Sequence, residues 1–207
     1  MQSFIKLATS CFAVMALSAT ANASLIINGG FEDTEVNGGN GGWQWYYSSD
    51  VDGWNGSNLE IWRDFGRIGP YEGEQHAELN AHPSDGGVFS IYQTFATTEG
   101  QSYDLFFAYG ARRNNNESFL VELDGADSLL YRLMDDHTVN NWSTYTTRFI
   151  ADSDFTTLRF TSVTPATGTV GNFLDGVSVT AVPAPGGLAL LSVALIGLGL
   201  RGRQQAA

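Results

Sequence analysis

Along much of the chain, apolar and polar residues alternate in short runs, each closed by a cluster of turn residues. A period of two marks a strand with one buried and one solvated face. TTLRFTS (156–162) puts Leu158 and Phe160 on one face and Arg159 on the other, and YTTRFI (145–150) aligns Tyr145, Thr147 and Phe149. FLDGVSVT (173–180) reads the same way, with Phe173, Asp175, Val177 and Val179 on one face. HAELN (76–80), IYQTFAT (91–97), YDLFFAY (103–109) and FLVEL (119–123) are further strands, separated by turn clusters such as EGQS, GARRNNN and DGAD. No helical period persists beyond two turns and no segment repeats. Strands at this spacing, with Gly, Asn and Asp turns between them, predict an all-β, antiparallel sandwich. Two stretches are expected as loops: 33–56, broken by glycine and studded with aromatics, and 164–171. Within the first, 37–42 could suggest a calcium-binding glycine repeat, but it occurs once and reads as a loop.

The two ends depart from this pattern. Lys6, an apolar run over 7–19 and the small-residue site Ala21, Asn22, Ala23 follow the order of a secretory signal peptide, which places the mature start at Ser24. The alternative is a buried N-terminal helix. Cys11, the only cysteine, lies inside this stretch, so the mature chain has no disulfide and no Cys-ligated zinc. Its stability must come from core area or from a bound metal ion. At the other end, Val182, Pro183, Ala184 and Pro185 precede an apolar run over 186–200, then Arg201, Gly202 and Arg203. As a helix rising about 1.5 Å per residue, 182–200 would span about 28 Å, enough for a thin membrane. Arg201 and Arg203 would then stay on the cytoplasmic side.

Residues 24–181 hold all 22 acidic residues, seven arginines and no lysine, a formal charge of −15. Such a surface repels phosphate backbones, which argues against nucleic acid as a partner. It suits a bacterial outer surface or matrix where divalent cations are available, although solubility through self-repulsion accounts for most of the charge.

Two resemblances follow from particular residues. Val182, Pro183, Ala184 and Pro185, the apolar 186–200 and the basic 201–203 together resemble the PEP-CTERM sorting signal of exopolysaccharide-producing Gram-negative bacteria. The departure is Ala184, where that family usually has Glu. The resemblance implies an exosortase-type processing enzyme as partner, a transient inner-membrane anchor cut near 183–185, and release to the cell surface or extracellular matrix. The alternative is a permanent C-terminal anchor. Between the ends, LIINGGFED (25–33), GW (53–54), LEIW (59–62), GEQHAELN (73–80), IYQTFATTEGQSYDLFFAYG (91–110) and FLDGVSV (173–179) occur in order. The set resembles the galactose-binding-like jelly-roll sandwiches, nearest to the xylan- and glucan-binding carbohydrate modules and a related plant cell-wall domain of unknown function. It implies one β-sandwich domain over 24–181, with a signal helix before it and a transmembrane sorting helix after it.

In that fold the first loop and the last strand lie close together and often share a structural calcium ion. The motif match assigns Glu32 and Asp175 to it, with Asn28 and Glu78 as further oxygens. Calcium takes six to eight oxygen ligands, and a carboxylate on an apolar face needs a partner. The alternative is that Asp175 caps a turn and Glu32 is solvated.

Sugar binding uses aromatic platforms beside amide and guanidinium donors. Trp43, Trp45 and Tyr46 supply the first, and Arg112, Arg113, Asn114 and Asn115 the second, while Trp54 and Trp62 are assigned to the core. The sequence carries no nucleophile elbow, zincin or phosphate-loop motif, and its three histidines lack metal-ligand spacing. The reading is a non-catalytic, exported, surface- or matrix-associated sandwich that binds carbohydrate, with exopolysaccharide as partner. The alternatives are a structural matrix or adhesion protein working through protein contacts, and a glycoside hydrolase, which would need two carboxylates fixed across a cleft.

Overall fold

The computed structural model describes residues 23–36, 42–63, 65–84, 86–126 and 130–183. Among these, alternating runs pair into two antiparallel sheets that face each other. The six-stranded sheet has the order β1 (Trp43–Tyr46), β3 (Leu59–Trp62), β4 (His76–Glu78), β11 (Phe173–Ala181), β6 (Ser102–Gly110), β9 (Trp142–Ile150). The five-stranded sheet has the order β2 (Asn55–Gly56), β5 (Ser90–Ala96), β10 (Phe155–Thr164), β7 (Ser118–Asp124), β8 (Leu130–Met134). The expected all-β antiparallel sandwich is what forms. The predicted signal helix and sorting helix fall on 1–22 and 184–207, outside the described residues. Among the described residues no helix is long and apolar enough to cross a membrane.

The core is built from the inward positions of the alternating strands. Tyr103, Leu105, Phe107 and Tyr109 of β6 meet Leu158 and Phe160 of β10 and Phe119, Val121 and Leu123 of β7. The Phe107 and Phe160 rings lie edge to face at 5.2 Å, a favoured aromatic geometry. Trp54 is buried against Phe31 at 5.3 Å, as the sequence reading expects. The 25–31 segment runs beside β11, where Leu25 N donates to Val179 O (2.8 Å) and Val177 N to Gly29 O (3.0 Å). A Cβ on Gly29 would lie 1.9 Å from the Val177 carbonyl oxygen, so this close approach requires glycine.

Three expectations are corrected. The stretch 33–56, expected as a loop, contains β1 and a 3-10 turn at Ser48–Asp50, because Trp43 and Trp45 alternate with Gln44 and Tyr46 and pair with β3. β8 forms where no strand was expected. β11 does not keep one apolar face. A bulge between Asp175 and Ser178, with Gly176 at φ 57°, reverses its parity. Leu174, Val177 and Val179 therefore join the main core, while Phe173 packs in a second cluster on the other side of the sheet. One extra residue inserted into a strand moves every later side chain to the opposite face.

Candidate functional site

The outer side of the six-stranded sheet carries the groups that could recognise a ligand. Cross-strand register aligns Trp45, Glu60, Glu78, Phe173, Gly110 and Trp142 in one row across all six strands. A neighbouring row runs Trp43, Trp62, His76. Trp43 stacks on Trp62 at 5.5 Å, and Trp62 meets Phe65 and Phe173 edge-on. Trp62 is buried, whereas Trp43 and Trp45 keep part of their surface in solvent. Trp45 is braced edge-on by Tyr47 at 5.2 Å. Tyr46 lies on the other face of β1, packs against the main core, and donates its hydroxyl to Glu35 O (2.5 Å).

Beside these rings sits a buried polar knot. Arg112 Nη1 donates to both oxygens of Glu78 (2.8 and 2.6 Å) and lies 3.6 Å from Glu60 Oε2. Its guanidinium also stacks 4.7 Å from the Trp62 ring centre. Glu78 further accepts from Trp62 Nε1 (2.9 Å) and Gly171 N (2.7 Å). Burial pushes Glu78 well above the usual carboxylate range, and the adjacent Glu60 adds to this while Arg112 opposes it. Burial likewise raises Glu60, against the His82 amide that donates to its Oε1 at 2.8 Å. His76 is buried between Trp142 and Phe173, and its desolvated ring is held down at about 3, so it is neutral.

The loop after β6 is fixed by a carboxylate. Glu117, 1% exposed, accepts amide hydrogens from Arg112 (2.6 Å), Arg113 (2.8 Å), Asn114 (2.8 Å) and Asn172 (3.2 Å). Asn115 Oδ1 accepts from Val139 N at 2.9 Å, so this side chain anchors the loop to the 135–141 segment. A depression of about 310 Å³ opens beside the loop, lined by Phe65, Arg67, Arg112, Arg113 and Val170. A second, of about 420 Å³, is lined by Gln44, Trp45, Tyr46, Tyr47 and Asp50. The structure thus splits the expected ligand-binding residues into two places: Trp45 and Tyr46 at the second depression, Arg112 and Arg113 at the first. Trp43, stacked on Trp62 beneath Arg112, lies between them.

The four residues expected to bind calcium are not gathered into one ligand set. Glu32 and Asp175 do reach the same segment from opposite ends of the chain. Glu32 Oε1 accepts from Glu74 N and Gln75 N (both 2.8 Å). Asp175 Oδ2 accepts from Tyr71 N (2.7 Å) and Glu72 N (3.1 Å), and its Oδ1 from Gly176 N (2.7 Å). Both carboxylates clamp the segment that crosses the sheet, and Trp142 Nε1 holds the same segment through Gly69 O (2.8 Å). Asn28 Oδ1 accepts from Asp33 N, and Glu78 is paired with Arg112, whose charge disfavours a cation there. Among the described residues no group of three or more His, Cys, Asp or Glu side chains is placed to hold a metal.

Sequence reasoning missed Glu117, Glu60, Phe65 and Arg67 as parts of the site. The first was detectable: an acid closing the polar run ARRNNNE is placed to cap that run's own amides. Glu60 depends on pairing between distant strands, which no local pattern reveals.

No protein-family model matches the chain. Among curated proteins it is 27% identical over 133 residues to halomucin of Haloquadratum walsbyi (strain DSM 16790 / HBSQ001), a match that takes in 64% of this chain. It spans about 1% of halomucin's length. Among solved structures it is similar to TmCBM61 in complex with β-1,4-galactotriose, with TM-score 0.52 and 14% identity, covering 77% of this chain and 99% of that one. It is also similar to the arabinose-bound α-L-arabinofuranosidase MgGH51, with TM-score 0.52 and 12% identity, covering 77% of this chain and 26% of that one. At these identities the likeness is one of fold: the chain has the β-sandwich of carbohydrate-binding modules.

Proposed function

We propose that this chain is a non-catalytic module, exported to the cell surface or matrix, that binds polysaccharide on the outer face of its six-stranded sheet. The observation that carries this is the placement of Trp43 and Trp45. They are partly exposed indoles on one strand; Trp45 lines one depression, and Trp43 stacks on Trp62, whose ring carries the Arg112 guanidinium of the other. Indole faces take the C–H faces of sugar rings, and arginine and amide donors take hydroxyl oxygens. The fold shared with TmCBM61, solved with β-1,4-galactotriose, supports the same reading.

The buried acids favour binding over catalysis. Glu60 and Glu78 face each other on adjacent strands, and the Glu78 carboxylate is engaged by Arg112, Trp62 and Gly171. Glycoside hydrolysis needs carboxylates flanking a substrate bond in an open cleft. Here the pair serves to hold Arg112. Affinity electrophoresis through gels containing β-1,4-galactan, xylan or bacterial exopolysaccharide tests binding. We expect retardation by at least one glycan, weakened about tenfold by Trp43→Ala or Trp45→Ala, since buried Trp anchors carry about 1.4 kcal/mol or more. No retardation on any glycan, or retardation that both variants preserve, contradicts the site.

Export and sorting rest on the end segments. The proposed signal peptide, and the tail built on Val182, Pro183, Ala184, Pro185, Arg201 and Arg203, imply a chain trimmed at both ends. Intact mass of the protein from each cell fraction tests this. Residues 24 to about 184 in the surface fraction are expected, and a full-length cytoplasmic chain overturns the proposal. A second reading, adhesion through protein contacts, is favoured by the edge strand β8, where Tyr131 and Leu133 are 71% and 45% exposed. Concentration-dependent self-association without glycan affinity would select it.

A further inference from the structure

The arginines of residues 24–181 are unevenly committed. Arg63 pairs with Glu74, Arg148 with Asp104 and Arg112 with Glu78. Arg132 stacks over Tyr145 and Arg159 over Tyr92. That leaves Arg67 and Arg113, whose guanidinium groups have no carboxylate or ring partner among the described residues. Both are exposed, and both line the same depression together with Arg112. Of the seven arginines in this acidic domain, these two alone have neither a carboxylate nor a ring partner among the described residues. Both line one concavity whose lining, among the described residues, includes no acidic side chain.

The surroundings prepare the pocket for a ligand. Glu117 accepts the Arg113 amide at 2.8 Å and fixes its backbone, so the loop is ordered before binding. Arg112 Nη1 is committed to both oxygens of Glu78, which leaves Arg67 and Arg113 as the available donors. Phe65 supplies an apolar wall. The depression of about 310 Å³ is at the lower end of small-ligand sites, which span about 300–1,000 Å³. A guanidinium pair of this kind is suited to a planar oxyanion, which it can grip in bidentate fashion.

The geometry points to an acidic saccharide as the ligand: a uronic acid whose carboxylate sits between Arg67 and Arg113. This rests on the polysaccharide reading and narrows it to uronate-bearing chains. The domain's negative field opposes a polyanion at long range, but at about 0.15 M salt the screening length is about 8 Å, which leaves a direct contact largely intact.

The test compares retardation of the purified protein in gels of polygalacturonate, neutral β-1,4-galactan and dextran sulfate at that ionic strength. We expect polygalacturonate to be preferred over both others. Arg67→Gln with Arg113→Gln should reduce the polygalacturonate-to-galactan preference about tenfold or more, the scale of losing charge-assisted hydrogen bonds. Arg159→Gln, on the other sheet, should leave that preference as it was. Galactan bound as well as polygalacturonate, or a preference that survives the double substitution, overturns the uronate assignment while the polysaccharide reading stands. Stronger retention by dextran sulfate overturns it in favour of a sulfated glycan. Retention by none of the three, nor by any other glycan, removes the polysaccharide reading itself.

Discussion

Both ring nitrogens of His76 are buried without a hydrogen-bond partner, in a box made by Trp142 and Phe173. Its value is depressed from 6.5 to about 3, so the unfolded chain binds the proton first. Its contribution to stability is intact above pH 6.5 and is lost as pH falls toward 3. At pH 5 this costs about 2 kcal/mol relative to pH 8. Replacing an unpaired polar group by an apolar one of similar shape is neutral or stabilising. His76→Phe is therefore expected to gain more at pH 5 than at pH 8, read as the difference in denaturant midpoints; equal gains at both would show that the ring is not buried neutral. Asp175 has the opposite sign. Burial raises it from 3.8 to about 7 despite its three amide donors. Its contribution is present below pH 4 and lost as pH rises through 7. Asp175→Asn should lower stability, by turning an amide group toward backbone N–H donors, and flatten the dependence between pH 4 and 7. With Glu32 and Asp175 both acting as amide clamps, EDTA should leave the melting temperature of the natural chain unchanged. A chelator-induced fall that Asp175→Asn abolishes would restore calcium to this edge.

At the scale of elements, β11 decides which residues reach the site. Gly176 takes φ 57°, and a Cβ there would come within 3.2 Å of Tyr71 Cδ1. Left-handed backbone costs a side-chain-bearing residue about 1–2 kcal/mol. Gly176→Ala should therefore lower the melting temperature by about 2–8 °C, at about 2–4 °C per kcal/mol for a domain of this size. Gly100→Ala, at φ 79° with nothing within 4 Å of the added carbon, should cost less. Equal losses would remove the bulge's packing role. Most strands were legible because one face of each is buried: Leu158 and Phe160 inward with Arg159 outward is unambiguous. β1 was hidden by the glycines around it, although Trp43 to Tyr46 alternates. The bulge was hidden because counting parity assumes that none exists. The Asp-Gly step inside an apolar strand was its one local sign.

Across the whole molecule, the legible parts of the site were those that one short continuous run carries by itself. Arg112 and Arg113 stand out in a polar run between two strands, and Trp43 and Trp45 in an aromatic one. What fixes Arg112 was not legible, since Glu78 is 34 residues away and meets it only when β4 and β6 flank β11. Trp62 was correctly assigned to the core, yet it faces outward from the main core and forms the floor under Arg112. The account therefore stands on one surface: the outer face of the six-stranded sheet, from Trp43 to the 111–117 loop. Hydrogen-exchange mass spectrometry with and without a bound oligosaccharide tests it most directly. Slowed exchange is predicted in residues 43–47, 65–69 and 111–117. Slowed exchange confined to β5, β10 and β7, on the opposite sheet, would contradict the account.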